Sequence, residues 1–144
     1  MNTKHATRRL VLFLALAAAA TLVAYQTGLL ERHARGRAAR MTPDRAARLL
    51  EQYPGTVVLD VNTPLEFREG HLPGAENLDY QSPYFGAAIK SMDRGETYLV
   101  TSARGERSLK AAEHMADMGF DDVHDLAGGL ERWARAGLPL EKGE

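Results

Sequence analysis

The chain of 144 residues is 44% hydrophobic and 26% charged, a composition that fits one compact domain with a short appendage and argues against disorder. It contains no cysteine, which excludes disulfides, thiolate metal sites and a cysteine nucleophile. The net charge of −1 is unevenly divided, because residues 1–40 carry seven Lys and Arg against one acidic residue, whereas residues 41–144 carry 11 against 18. An acidic domain is a poor candidate for nucleic-acid binding, so we expect no nucleic-acid partner.

An uncharged apolar segment follows the basic N-terminus formed by residues 1–9. Residues 10–30 hold 21 positions without a charged side chain. At about 1.5 Å per helical residue they reach roughly 30 Å, the thickness of a bilayer core, so we expect a single-pass transmembrane helix or signal anchor. A cleaved signal peptide is the alternative, because Ala18, Ala19 and Ala20 offer a cleavage-like site. The apolar run continues past that site without a polar region, which favours an uncleaved anchor.

The basic segment 31–41 is interpreted as a linker beside the membrane that contacts anionic headgroups. A short basic N-terminus before a first apolar segment usually stays in the cytoplasm. We therefore predict a bacterial-type inner-membrane protein with a periplasmic domain. Basic residues flank both ends of the apolar segment, so a cytoplasmic domain stays open as an alternative, as does export after signal cleavage.

From Met41 onward, helical and strand patterns alternate, which predicts an α/β domain with a mainly parallel sheet. The predicted helices begin at Thr42 as N-cap, at Thr63 with a capping box to Glu66, near Pro83, at Arg107 and at Leu130. The predicted strands are 56–61, a short one near 76–78, 97–102, and one within 121–129.

Four pieces of the domain, taken in order, resemble the rhodanese, or sulfurtransferase homology, family. They are Asp60-Val61 with Thr63-Pro64 and Glu66-Phe67, then 69–75, then the loop 102–108, and the ending 128–139. The resemblance implies a single rhodanese-like domain over residues 42–140, with a five-stranded, mostly parallel sheet flanked by helices, and a tail at 141–144. It also implies an active-site loop that wraps around an anion after the fourth strand.

The loop departs from the family at Ser102, where members normally carry a cysteine that holds sulfur as a persulfide. A serine hydroxyl is much less acidic than a thiol and cannot form a persulfide, so we expect no catalytic residue here. A serine nucleophile would need an adjacent base, and the sequence around Ser102 is not the G-x-S-x-G elbow. The domain's histidines, His71, His114 and His124, are each interpreted as structural or surface residues.

The rest of the loop keeps the features of an anion cradle. Gly105 permits a tight turn, Arg107 can brace the loop, and Arg104 adds a positive charge at the rim. The predicted anion-binding loop comprises Ser102, Ala103, Arg104, Gly105, Glu106 and Arg107. Its predicted supporting residues are Asp60, Asn62, His71 and Ser108, and Asn62 stands where the family commonly has an arginine. No metal or cofactor is expected.

These features predict a membrane-tethered rhodanese-like domain without sulfurtransferase activity, which acts as a binding or scaffolding module. Its ligand would be a small oxyanion or a carboxylate or phosphate of a protein partner. The alternative is an active sulfurtransferase-family enzyme that uses Ser102 or a thiol supplied by a partner. A tether whose loop binds nothing is the third interpretation.

Overall fold

The computed structural model describes residues 38–143, together with Ala19. The chain divides into two units, Met1–Ala34 and Arg35–Glu144, and the fold below belongs to the second. Its helices are α1 (Pro43–Gln52), α2 (Pro64–Glu69), α3 (Phe85–Lys90), α4 (Glu106–Asp117) and α5 (Gly129–Arg135). Its strands are β1 (Ala39–Met41), β2 (Val57–Asp60), β3 (Glu76–Asn77), β4 (Thr97–Thr101) and β5 (Asp122–Leu126).

The five strands form one sheet in the order β1-β5-β4-β2-β3, and every pair is parallel. The predicted α/β fold with a five-stranded parallel sheet is therefore confirmed. In a parallel sheet all carboxyl ends of the strands lie along one edge. The central strand β4 ends at that edge beside β2, since Asp60 and Thr101 are register partners. Segments that follow β2, β4 and β5 thus meet at the same edge.

Helices cover both faces of the sheet because successive strand residues point to opposite sides. One face packs on α3 and α4 through a core of Leu59, Tyr98, Val100, Ile89 and Met115 with their neighbours. The other face packs on α1 and α5 through Val58, Leu99, Leu126, Ala46 and Trp133. Two apolar layers therefore fix the sheet that carries the loop after β4.

The helix starts follow the sequence signals unevenly. At α2, Thr63 and Glu66 form the predicted capping box, with both reciprocal bonds present. At α1, Thr42 occupies the N-cap position as predicted, but its side chain makes no capping hydrogen bond. Pro43 at the first helical position still gives this helix a defined start.

Strand β1 adds three residues of the predicted linker to the sheet. Arg40 pairs with Asp125 in the parallel ladder between β1 and β5. The segment Ala39–Met41 lacks the β-branched and aromatic residues that favour strands, so its extended form depends on the neighbouring strand. The chain therefore enters the sheet at Ala39, level with the middle of β5, because Ala39 pairs with His124.

The C-terminal segment closes back on the domain. Glu141 and His71 exchange backbone hydrogen bonds of 2.8 and 2.9 Å, and the Trp133 indole donates to the Pro139 carbonyl at 2.8 Å. The chain end is thus attached beside the turn that follows α2.

The predicted anchor at 10–30 lies outside the described residues apart from Ala19. Among the residues that the structure describes, no helix is long and apolar enough to span a bilayer.

Candidate functional site: the loop between β4 and α4

The loop after β4 is short and tightly enclosed. Gly105, the N-cap of α4, has φ 85°, a left-handed conformation that favours glycine. A Cβ atom on Gly105 would lie 2.9 Å from the amide nitrogen of Gly128. A Cβ atom on Gly129 would collide with the carbonyl oxygen of Ser102. Close packing of the loop on the Gly128–Gly129 turn therefore requires glycines at these positions.

The loop backbone is also held by hydrogen bonds from α5. Leu130 donates its backbone N–H to the Ser102 carbonyl, and Glu131 donates to the Ala103 carbonyl, both at 3.0 Å. The start of the loop is thereby fixed without any contribution from the Ser102 side chain.

The Ser102 hydroxyl points into the loop rather than out of it. Its Oγ accepts hydrogen bonds from the backbone N–H groups of Gly105 and Ser108, both at 3.2 Å. The hydroxyl donates to Ser108 Oγ at 3.2 Å. Ser102 is only 1% exposed. The oxygen therefore occupies the point on which two loop amides converge.

Ser108 extends this arrangement to the neighbouring strand. Its hydroxyl donates to Asp125 Oδ1 at 2.6 Å, and the other carboxylate oxygen of Asp125 accepts from Arg40 Nε at 3.0 Å. Ser108 and Asp125 are both 0% exposed. Neither Asp125 nor Arg40 was expected at the site from the sequence. The available signal was a carboxylate next to Leu126 within a predicted short strand.

Arg107 braces the loop through side chains. Its guanidinium donates to the two carboxylate oxygens of Glu66 at 2.7 and 2.8 Å and to Asn62 Oδ1 at 3.0 Å. The paired geometry is that of a bidentate Arg–carboxylate interaction. The hydrogen bonds from Arg107 lower the pKa of Glu66 from 4.5 to about 2. Arg107 is thus engaged in holding α2 against α4 rather than pointing at a ligand.

Asn62 connects the end of β2 to the loop. Its Oδ1 accepts from the Ala103 backbone N–H at 2.9 Å, in addition to the bond from Arg107. Asp60 Oδ1 in turn accepts from the backbone N–H of Asn62 at 2.9 Å. The predicted supporting residue Asp60 thus hydrogen-bonds to backbone. The short side chain at position 62 therefore supports the loop from below.

Asp60 is a fully buried carboxyl group. Burial raises its pKa from 3.8 to about 6, and the backbone hydrogen bond from Asn62 and the charges of His71 and Arg107 oppose that rise. Asp60 Oδ2, Asn62 Nδ2 and Thr101 Oγ1 have no hydrogen-bond partner within the described part of the chain. A polar, incompletely paired cluster thus lies at the carboxyl ends of β2 and β4.

His71 has structural partners on both sides. Its ring stacks on Phe67 with centroids 3.8 Å apart, and Nδ1 lies 2.8 Å from the Phe67 carbonyl oxygen. The backbone of His71 pairs with Glu141. The imidazole is therefore part of the packing between α2 and the C-terminal segment.

Part of the loop backbone keeps unused donors. Within residues 38–143, the backbone N–H groups of Arg104, Glu106 and Arg107 make no hydrogen bond. The Arg104 guanidinium is 74% exposed and lies 3.8 Å from Glu131 Oε1, a distance and exposure typical of a weak surface pair. Free amides at the start of a helix, next to an arginine, can bind an anion.

The domain belongs to the α/β class, with a strand, a tight loop and a helix at the carboxyl edge of a parallel sheet. Two amides of that loop converge on one side-chain atom. Comparison with known proteins places that class in a family. The rhodanese-like domain matches residues 42–136. The chain belongs to the rhodanese-like domain family.

Two curated relatives illustrate the sequence similarity. Thiosulfate sulfurtransferase GlpE of Pseudomonas putida is 36% identical over 102 residues, which cover 71% of this chain and 89% of the relative. Thiosulfate sulfurtransferase 16, chloroplastic, of Arabidopsis thaliana is 35% identical over 93 residues, which cover 58% of this chain and 78% of the relative.

Solved structures share the fold. A rhodanese-related protein from Thermoplasma volcanium has a TM-score of 0.60 and 28% identity, covering 73% of this chain and 97% of that one. A rhodanese-like domain protein from Staphylococcus aureus has a TM-score of 0.63 and 26% identity, covering 74% and 99%.

Proposed function

We propose that this protein is a membrane-tethered rhodanese-like domain without sulfurtransferase activity, which binds an anionic group of a partner at the loop 102–107. The observation that carries the proposal is the Ser102 oxygen, which stands where the amides of Gly105 and Ser108 converge. In the family that this sequence resembles, that position belongs to the sulfur-carrying cysteine.

The chemistry of residue 102 argues against sulfur transfer. A persulfide requires a thiolate that attacks sulfur and then holds it, and this sequence contains no cysteine. The Ser102 hydroxyl already accepts two hydrogen bonds and donates one, and it is almost inaccessible to solvent. Ser108, to which it donates, is a hydroxyl rather than a base. Nucleophilic activation of Ser102 therefore has no support in this geometry.

The loop supports anion binding through its unused donors. Three backbone N–H groups are unused there, and Arg104 contributes an exposed positive charge beside them. Arg107 and Asn62 hold the loop in shape before any ligand arrives. A small oxyanion, or a carboxylate or phosphate of a protein partner, matches donors of this kind.

The tether rests on the sequence, where residues 10–30 are long and apolar enough for one membrane crossing. An inner-membrane anchor with a periplasmic domain is the topology we propose. A reporter fused after Glu144 tests it, and activity only of a cytoplasmic reporter would contradict it.

The alternative is an active sulfurtransferase that uses Ser102 or a partner's thiol, favoured by the 36% identity to thiosulfate sulfurtransferase GlpE of Pseudomonas putida. Sulfur transfer from thiosulfate to cyanide by the full-length protein distinguishes the two. We expect the protein to give no more transfer than buffer alone. A clearly higher rate would show that the protein is an active enzyme.

Anion binding is tested separately, by titrating sulfate against the amide NMR signals of the full-length protein. We expect the signals of residues 103–108 to move, because this segment carries the unused N–H groups of Arg104, Glu106 and Arg107. Unchanged signals at millimolar sulfate would contradict the binding role and favour a loop that binds nothing.

A further inference from the structure

A chain of buried hydroxyl groups runs beneath the loop and ends at a carboxylate. Ser102 donates to Ser108 at 3.2 Å, and Ser108 donates to Asp125 at 2.6 Å. Asp125 pairs with Arg40, whose side chain is 53% exposed on strand β1. The proposed binding role uses the unused backbone N–H groups of the loop. It does not account for this series of buried hydroxyl groups.

The direction of the chain follows from the chemistry of its end. A carboxylate paired with a guanidinium only accepts hydrogen bonds, so the single proton of Ser108 must point to Asp125. Ser108 Oγ is then left as an acceptor, and the single proton of Ser102 points to it. The lone pairs of Ser102 face the amides of Gly105 and Ser108.

We propose that Asp125 is a positioning residue that commits the Ser102 proton to the interior of the loop, and that Arg40 supplies the counter-charge that keeps Asp125 in this role. The inference rests on the proposed anion-binding function and adds its specificity. The loop offers backbone N–H groups to the ligand and withholds its hydroxyl. Two of its amides are occupied by Ser102 in the same way that an anion would occupy them.

Reversal of the chain would change what the loop offers. An amide at position 125 can donate to Ser108, which can then donate to Ser102. The Ser102 proton becomes free to donate to a bound anion. Loss of Arg40 acts in the same direction, because Arg40 Nε is the charged donor that holds Asp125 as an acceptor.

The test compares sulfate dissociation constants, measured by amide NMR titration on the full-length protein. We expect Asp125→Asn to bind sulfate about tenfold more tightly, the worth of one hydrogen bond to a charged group. Arg40→Gln should tighten binding in the same direction. Arg48→Gln removes an exposed arginine of α1 and is the matched control. Simple loss of positive charge would weaken anion binding in both arginine variants. Tighter binding by Arg40→Gln alone would therefore show an effect of the hydrogen-bond series and not of net charge.

A double-mutant cycle identifies the hydroxyl that responds. In the Ser102→Ala background, Asp125→Asn should give no further gain, because the proton in question is absent. A gain that persists in that background would overturn the proposal, as would equal or weaker binding by folded Asp125→Asn. If Asp125→Asn does not fold, Ser108→Ala serves the same purpose, because it also removes the acceptor of the Ser102 proton.

A measurement without ligand keeps this inference apart from the anion-binding role. Asp125→Asn should shift the amide protons of Gly105 and Ser108, which bond to Ser102 Oγ, while Arg48→Gln leaves them in place. If no variant binds sulfate but these signals move, the binding function is wrong and the positioning role stands. If they do not move, the positioning role is wrong.

Discussion

Arg107 and Glu66 join two helices through two parallel hydrogen bonds of 2.7 and 2.8 Å, across 41 residues of sequence. Both partners make additional hydrogen bonds, because Glu66 caps α2 through Thr63 and Arg107 donates to Asn62. A single planar guanidinium therefore connects the helix cap, the end of β2 and the loop.

Replacement of Arg107 by lysine should weaken this connection. Lysine keeps the charge but cannot make the bidentate pair and the Asn62 bond together. We expect the free energy of unfolding to fall by about 1 kcal/mol, a modest value because Glu66 is partly exposed. Chemical denaturation measures the change, and Arg48→Lys on the exposed side of α1 is the matched control. Equal stabilities of the wild type and Arg107→Lys would contradict a bracing role.

Asp60 should make the domain more stable as the pH falls from 7 towards 4. Its pKa is 3.8 in the unfolded chain and about 6 in the folded one, so between these values the folded state binds the extra proton. Stability therefore decreases as the pH rises through this window, by on the order of 2 kcal/mol. Asp60→Asn should flatten that slope in denaturation measured across the pH range.

The contribution of Glu66 to stability depends on pH in the opposite sense to that of Asp60, and over a lower pH range. The two groups can therefore be measured separately. Its folded pKa of about 2 lies below the unfolded value of 4.5, so its contribution is present above pH 4.5 and is lost as the pH falls towards 2. Glu66→Gln should remove this acid-limb loss and leave the slope between pH 4 and 6 unchanged. A change in the upper window on Glu66→Gln would show that the assignment to Asp60 is wrong.

Gly105→Ala should strongly destabilise the domain. The left-handed conformation costs a residue with a Cβ atom about 1 kcal/mol or more, and the new atom would lie 2.9 Å from the Gly128 nitrogen. We expect a loss of at least about 2 kcal/mol in thermal or chemical unfolding. Gly86→Ala in α3 is the matched control, because a Cβ atom there would meet nothing from the rest of the domain within 4 Å. That control should be neutral or slightly stabilising, and similar losses in both variants would refute the steric explanation.

Ser102→Cys should give a thiol with a pKa below the usual value of about 8.5, because two backbone N–H groups point at residue 102. The thiolate absorbance as a function of pH measures this pKa. The nearby carboxylate of Asp125 opposes the thiolate, so Ser102→Cys with Asp125→Asn should have a still lower thiol pKa. Gain of thiosulfate to cyanide transfer in either variant would show that the loop retains a shape suited to sulfur transfer. An ordinary thiol pKa in both would contradict convergence of the amides on this atom.

The sequence was informative wherever a local pattern determines the structure. Buried strands gave apolar runs at β2 and β4, and the capping box at Thr63 and Glu66 was readable from spacing alone. Gly105 followed from the need for a tight turn, which its positive φ satisfies. These features depend on neighbours in the sequence, so they can be predicted without knowledge of the fold.

The features that were missed depend on partners far away in the sequence. Strand β1 has no strand-like composition and forms by pairing with β5, more than 80 residues later. Asp125 is meaningful only once Ser108 and Arg40 are brought to it by α4 and β1. The sequence predicts Ser108 only as a supporting residue of the loop, because nothing local reveals that its hydroxyl lies between Ser102 and Asp125.

Contacts from α5, Asn62 and the Gly128–Gly129 turn hold much of the loop backbone independently of the Ser102 side chain. Shape and reactivity are consequently separable in this domain. Since serine and cysteine codons can differ by a single nucleotide, such a scaffold can exchange a reactive role for a recognition role, or regain it, in one mutational step without passing through an unfolded intermediate sequence.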